Sequence, residues 1–292
     1  MPTFQAVLKA VRETLEKSPE VAAKGCIETE AEQLVVAAYQ KEMGRPLSRL
    51  DLFTRISDEF PAAANARLLS WTEERAQGKP LQHVTGVQVF LDHEYEVGPD
   101  VLIPRPETEL LVVTALDYLR RESPAARLGL EVGLGSGVIS IELLAAFPTL
   151  EMVASELTDV AASRAQINAM RVLGSGANRL RILRASSALE VMEPFERDLS
   201  NVAKDAQADF LISNPPYLST KDPIEPEVLQ HEPSTALFAP PEDLLHFYRL
   251  ISLSAHRFSR SALRVRRGIC PHYCPKSRRR ALPGRRAMRW CW

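Results

Sequence analysis

Long apolar runs are missing from this chain. No stretch approaches the roughly 20 apolar residues that a bilayer-spanning helix needs, so no membrane role is expected. Cysteine is scarce, and 4 in 292 residues do not make a disulfide scaffold. The opening Met1-Pro-Thr-Phe-Gln5 lacks the basic, apolar and small-residue pattern of a secretion signal and is not Arg-rich, which points to a cytoplasmic protein. Acidic residues are missing altogether from Ser252 to Trp292, which holds eleven Arg and one Lys. That segment is formally +12 in a chain of net −1, so residues 1–251 carry −13. An acidic body argues against a broad nucleic-acid surface, and no stable nucleic-acid binding is expected of it.

What is present suggests two domains, and the length admits one with a large core. Residues 3–78 read as a small helical bundle. Phe4, Val7, Leu8, Val11 and Leu15 share one helical face; Ala31, Leu34, Val35 and Ala38 make a second stripe, with Thr29 as N-cap. Leu50, Phe53 and Ile56 give a third, and Pro61 suits the first turn of a fourth helix through Leu68, Leu69 and Trp71. The bundle carries no catalytic constellation; it is either a structural cap or a module that recognises a macromolecular substrate. Gly78-Lys-Pro80 marks a boundary. Beyond it, Leu81 to Phe90 and Tyr95 to Val97 alternate like strands around Leu91-Asp-His93, giving a linking hairpin over 79–100 with His93 as a turn residue.

Pro106 stands where a first helical turn accepts proline, and Glu107 and Glu109 sit beside the positive helix end. This is either a well-capped helix start or, with Arg105 and Glu107, the mouth of a cleft. From Leu128 the pattern alternates: strand to Val132, glycine-rich turn, helix Val138 to Phe147, strand Leu150 to Ala154, helix Thr158 to Val172, strand Leu180 to Leu183, strand Ala208 to Ile212. Such alternation predicts a doubly wound parallel sheet, α/β in class, whose ligands sit beyond the strand carboxyl ends. Glu131, Gly133, Gly135 and Gly137 fall at the first strand end. Glu156 ends the second, roughly 20 residues on, the spacing of a carboxylate that grips ribose hydroxyls. The turn is Gly-x-Gly-x-Gly rather than Gly-x-Gly-x-x-Gly, which favours a nucleoside without pyrophosphate, with Glu131 facing a cationic amino-acid part directly or through water.

The fourth strand ends in Asn214-Pro215-Pro216-Tyr217. Two prolines remove two backbone donors and hold Asn214 extended. The Asn214 side chain and the Pro215 carbonyl can then accept two hydrogen bonds from a planar –NH2 group. With Tyr217 against its face, the nitrogen lone pair is aimed at an electrophile. A simple proline turn is the plainer alternative.

Taken together, the motifs resemble the HemK/PrmC family of S-adenosylmethionine-dependent methyltransferases, which modify the glutamine side-chain nitrogen in the Gly-Gly-Gln loop of peptide-chain release factors. The shared stretches are Leu102-Ile-Pro-Arg-Pro-Glu-Thr-Glu109, Glu131-Val-Gly-Leu-Gly-Ser-Gly137, Asn214-Pro-Pro-Tyr217 and Glu232-Pro-Ser-Thr-Ala-Leu237, across about residues 4–250. The resemblance implies a class I (Rossmann-like) methyltransferase domain over 101–251 behind a helical domain over 1–78. It implies S-adenosylmethionine bordered by Glu131, Gly133, Gly135, Gly137, Glu156, Ser186 and Asn214. Asn214, Pro215 and Tyr217 would be catalytic, and the substrate would also meet Pro216, Arg105 and Glu107. A monomer without metal, acting on release factors, is expected.

Three departures stand out. Leu134 replaces a small residue, and Ser186-Ser187 offer hydroxyls where the family has an Asp for the adenine amine. The larger departure is the Arg-rich tail over 252–292, which lacks a run fit for a buried fifth strand. A zinc site from Cys270, Cys274, Cys291 and His272, RNA binding and disorder are readings of it; an altered reading frame, with disorder as its consequence, ranks first. It would leave an exposed apolar edge on the fourth strand. Alternatives to the release-factor reading are an adenine-N6 DNA or guanine-N2 RNA methyltransferase, since an exocyclic amine also fits the Asn214 corner, and an inactive remnant.

Overall fold

The computed structural model describes residues 1–185, 195 and 208–258. Ser186 and the chain from residue 259 on, with the zinc, RNA and disorder readings of the tail, lie outside the described residues. Helices α1 (Phe4–Leu15), α2 (Pro19–Ala22), α3 (Ile27–Met43), α4 (Arg49–Thr54), α5 (Ala62–Ala76) and α6 (Leu81–Thr85) come first, then paired strands β1 (Val87–Phe90) and β2 (His93–Glu96). Next are α7 (Pro106–Glu122), β3 (Leu128–Val132), α8 (Val138–Ala146), β4 (Glu151–Glu156), α9 (Asp159–Leu173), a 3-10 turn over Gly174–Arg179 and β5 (Leu180–Arg184). Strand β6 (Phe210–Ser213) and helices α10 (Pro226–His231), α11 (Ser234–Leu237) and α12 (His246–Phe258) follow. The chain gathers into two compact units: Met1–Val87 with Ile224–His231, and Gln88–Pro223 with the described part of Glu232–Trp292.

The helical unit forms where the apolar stripes require it. Thr3 caps α1 by accepting from the Ala6 amide at 3.2 Å, and Phe4, Val7, Leu8, Val11 and Leu15 are all buried. Phe4 meets Phe60 edge to face with ring centroids 5.0 Å apart. Two starts differ from expectation. Helix α3 begins at Ile27 with Cys26 at its cap, so Thr29 lies inside the first turn; the Glu30 amide donates to the Cys26 carbonyl at 3.0 Å. Pro61 is the N-cap of α5, one residue ahead of its first turn.

A buried ion pair crosses this core. The Arg75 side chain is only 1% exposed; its Nε donates to Glu30 Oε2 at 2.6 Å and its Nη2 to Oε1 at 3.1 Å. The remaining Nη1 donates to the Lys79 carbonyl at 3.1 Å and lies 3.5 Å from Glu227, a residue of α10 that Lys24 also pairs. A bidentate fork satisfies both partners, so desolvation is offset only while both are present.

The second unit is a parallel sheet in the order β5-β4-β3-β6, the pairs β5–β4, β4–β3 and β3–β6 all being parallel. It is the doubly wound parallel α/β sheet that the alternation predicted. Both faces are covered, as parallel sheets demand. Met152, Ala154, Phe210 and Ile212 join the core built with α7, α8 and α9. Leu130, Val132, Val153 and Leu211 join the other with Phe247 and Ile251 of α12. Strand β6 is the last of the sheet among the described residues, but its apolar side chains are not exposed: Phe210, Leu211 and Ile212 are fully buried between these two layers.

The linking segment corrects the expectation of strand from Leu81. Residues 81–85 are helical because Pro80 sets the entry and Gly86, at φ 79°, closes the turn by donating to the Gln82 carbonyl at 2.8 Å. Leu81 and Val84, three residues apart, face the helical core. His93 is not a turn residue but the first residue of β2, its Nδ1 2.9 Å from Glu142 Oε1, the oxygen that also accepts from the Tyr95 hydroxyl at 2.7 Å.

Substituting Arg75→Met leaves the Glu30 carboxylate buried without its partner. The variant is expected to lose about 3–5 kcal/mol of stability in urea unfolding; a loss below about 1 kcal/mol would contradict the role given to this pair.

Candidate active site

The site begins with register. Val132 of β3 is paired with Ser213 of β6, so the next residues along the two strands, Gly133 and Asn214, leave the sheet side by side at its carboxyl edge. The Ser213 hydroxyl donates to the Val132 carbonyl at 2.7 Å and fastens this end of the pair. The strand order turns back here, with β4 and β6 flanking β3, which is where doubly wound sheets open a crevice.

The glycine turn is shaped by its own backbone. Gly133 and Gly135 have φ of 76° and 55°, and a Cβ on either would meet no atom within 4 Å, so both border open space. Gly137 serves packing instead: a Cβ there would stand 2.9 Å from Ile141 Cδ1 and 3.1 Å from Ala165 Cβ. Leu134, the departure from the family pattern, is buried in the core between α7, α8 and the sheet. Asn168 braces the turn from α9. Its Nδ2 donates to the carbonyls of Ser136 at 2.9 Å and Glu96 at 3.0 Å, and its Oδ1 accepts from the Glu96 amide at 2.7 Å.

Two carboxylates flank the turn in different states. Glu131 is fully buried; its Oε2 accepts from the Ser140 amide at 3.1 Å and from the Ser140 hydroxyl, while its Oε1 has no partner. Burial pushes its pKa up to about 8, against the two Ser140 hydrogen bonds and with help from the Glu156 charge. Glu156 accepts from the Gly135 amide at 2.9 Å through Oε2, and from the Leu157 and Thr158 amides at 2.7 and 3.0 Å through Oε1. A carboxylate has about four acceptor sites, so Glu156 keeps room for a hydroxyl. An unpartnered buried oxygen, a carboxylate with a lone pair to spare and an open glycine bend suit a ligand with an ammonium at one end and a sugar diol further on. That is the chemistry of S-adenosylmethionine, and these residues fit it.

The Asn214 corner is tied to two other motifs. Asn214 Nδ2 donates to Thr108 Oγ1 at 3.0 Å, and Thr108 is a buried residue of the first turn of α7. Glu232, its side chain 1% exposed, accepts from the Ile103 amide at 3.0 Å and pairs with the Arg105 guanidinium. Leu218 donates to the Leu237 carbonyl at 3.1 Å and accepts from the Ala239 amide at 3.0 Å. Pro215 is buried, Pro216 half-buried and Tyr217 38% exposed. Burial and the exposed Glu107 carboxylate raise the Tyr217 pKa while Arg105 opposes them, so the phenol stays neutral beside these two charges.

The structure therefore brings Gly133, Gly135, Glu131, Glu156 and Asn214 to one sheet edge, with Arg105, Glu107 and Tyr217 together beside Asn214. Ser186 lies outside the described residues. Sequence reasoning missed Thr108, Ser140 and Glu232 as site-building residues. Thr108 and Glu232 stood inside motifs already singled out, but nothing local signalled their partners.

Residues 29–86 match the PrmC N-terminal domain family. The chain is 36% identical over 212 residues to the release factor glutamine methyltransferase of Burkholderia pseudomallei, covering 72% of this chain and 70% of that one. It is 34% identical over 234 residues to that of Streptomyces coelicolor, with 80% and 74% covered, and 34% identical over 214 residues to that of Geobacter sulfurreducens, with 73% and 68% covered.

The state of Glu131 sets a pH dependence. With its folded pKa above the ordinary value near 4.5, the folded chain holds a proton that the unfolded chain has released between about pH 4.5 and 8. Stability from this group is thus complete below that window and lost as pH rises through it. Glu131→Gln, which cannot ionise, is expected to lose less stability than wild type between pH 5 and pH 8 in urea unfolding; equal losses would show that Glu131 titrates normally.

Proposed function

The chain belongs to the release factor glutamine methyltransferase family, and we propose that it transfers a methyl group from S-adenosylmethionine to the glutamine nitrogen of the Gly-Gly-Gln motif in peptide-chain release factors. The observation that carries this reading is the juxtaposition of Asn214 with the Gly133 turn across the Val132–Ser213 register. A planar amide held by the first lies beside a ligand held by the second.

In this reading Glu131 and Glu156, with Gly133 and Gly135, hold the cofactor, Gly137 packs the turn against Ile141 and Ala165 in place of the cofactor contact expected of it, and Ser186 contributes from beyond the described residues. When bound, the cofactor supplies an electrophilic methyl on a sulfonium. The chain's own task is to align a weak nucleophile. Asn214 Oδ1 and the Pro215 carbonyl accept the two amide N–H groups, which turns the nitrogen lone pair out of that plane. Tyr217 covers the face of the amide, and Pro216 stiffens the corner. Arg105, held by Glu232, and Glu107 line the substrate side. Alignment of this kind is worth several orders of magnitude in rate without a strong base. The amide nitrogen gives up one proton after methylation, and the two acceptors pass it to water.

The same proposal divides the chain into a helical domain over 1–78, a linking hairpin over 79–100, a methyltransferase domain over 101–251 and the Arg-rich tail over 252–292. It has the protein act as a cytoplasmic monomer. No helix among the described residues is long and apolar enough to cross a membrane.

The test is transfer of labelled methyl to a purified release factor. Wild type is expected to label it. Gln→Ala in the Gly-Gly-Gln loop should abolish labelling, and Asn214→Ala should lower it by about 100-fold or more, the scale of a misplaced reactant. Labelling of nucleic acid in place of the release factor would overturn the assignment.

A further inference from the structure

We infer that Thr108 is a positioning residue of the site: its hydroxyl holds the Asn214 carboxamide in the one orientation that presents oxygen, not nitrogen, to the substrate. This rests on the reading of Asn214 as the group that grips the target amide.

A primary carboxamide is nearly symmetric in shape and can rotate by half a turn at small cost, yet its two ends have opposite chemistry. The target amide presents two N–H donors. Only acceptors can receive them, so Asn214 must offer Oδ1; with Nδ2 in that place, donor would face donor. The prolines fix the backbone of Asn214 but leave this choice open. Thr108 makes it. Nδ2 is committed to Thr108 Oγ1 at 3.0 Å, and the opposite end of the carboxamide is thereby the oxygen. The Pro215 carbonyl, from a residue with no N–H, supplies the second acceptor.

Thr108 is able to hold this position because it is itself held. It is 4% exposed, and its amide donates to the Arg105 carbonyl at 2.9 Å in the first turn of α7. The residues just before it are fastened by Glu232, which takes the Ile103 amide at 3.0 Å and pairs with Arg105. Three motifs that lie far apart in sequence thus converge on one function: Glu232 fixes the segment before α7, α7 fixes Thr108, and Thr108 orients Asn214.

The test compares Thr108→Val, which keeps the shape and removes the hydroxyl, with Thr108→Ser, which keeps the hydroxyl. Thr108→Val is expected to lower kcat for release-factor methylation by about tenfold, the scale of one hydrogen bond, with S-adenosylmethionine affinity unchanged; Thr108→Ser should restore most of it. On an Asn214→Ala background Thr108→Val should cost nothing further, because it acts only through Asn214. Independently of activity, hydrogen exchange of the Asn214 side-chain amide, read by NMR, should be about tenfold faster in Thr108→Val and unchanged in Thr108→Ser. Equal losses on both backgrounds, or exchange that does not respond to the valine, would overturn the inference. If wild type transfers no methyl, the functional reading falls, and the exchange measurement still decides whether Thr108 holds the carboxamide.

Discussion

Everything at the site follows from the parallel pairing of β3 with β6. The two strands are separated in sequence by α8, β4, α9 and β5, yet they lie side by side and finish level, Val132 against Ser213. A shift of one residue in that pairing would turn every side chain of β6 to the other face. Phe210 and Ile212 would leave the core they share with Met152 and Ala154, and Leu211 would leave Phe247 and Ile251. The burial of three fully enclosed residues therefore sets the placement of Asn214, a polar residue that contributes little to stability itself.

Around that register the polar groups form connected pairs rather than isolated contacts. Ser140 supplies both donors to one oxygen of Glu131, Asn168 answers three backbone groups, and Glu232 answers a backbone amide and a guanidinium. Buried polar atoms are costly without partners, so these connections fix geometry at the same time as they remove penalties. Two exceptions stand at this end of the sheet, Glu131 Oε1 and Ser155 Oγ, both buried without a partner. The carboxylate oxygen is where a cationic ligand group gains most.

Much of this was legible in the amino-acid order. Strand–helix alternation from Leu128 carries strong periodicity, and the glycine turn and Asn-Pro-Pro-Tyr corner declare themselves through residues with few other uses. Leu81 to Thr85 was harder, because two apolar residues three apart fit a strand fragment as well as a helical turn; the deciding role of Gly86 is a matter of backbone angle. The links Thr108–Asn214 and Arg105–Glu232 span 106 and 127 residues. A single sequence holds no signal for contacts at that separation, since neither periodicity nor propensity reaches across the chain. His93 was misplaced for the same reason, its partner Glu142 being 49 residues away.

The eight residues Ile224–His231 leave the sheet-bearing unit and are counted with the helical one, where Glu227 meets Arg75 and Lys24. The helical unit is thus discontinuous: its last piece is encoded between Tyr217 and Glu232, inside the stretch that builds the substrate corner. Excising residues 1–87 as a self-contained module would strip Lys24 of Glu225 and Glu227 and leave Arg75 with Glu30 alone. Insertions or deletions between Pro223 and Glu232 would likewise be felt by a fold whose first residues are more than two hundred positions upstream.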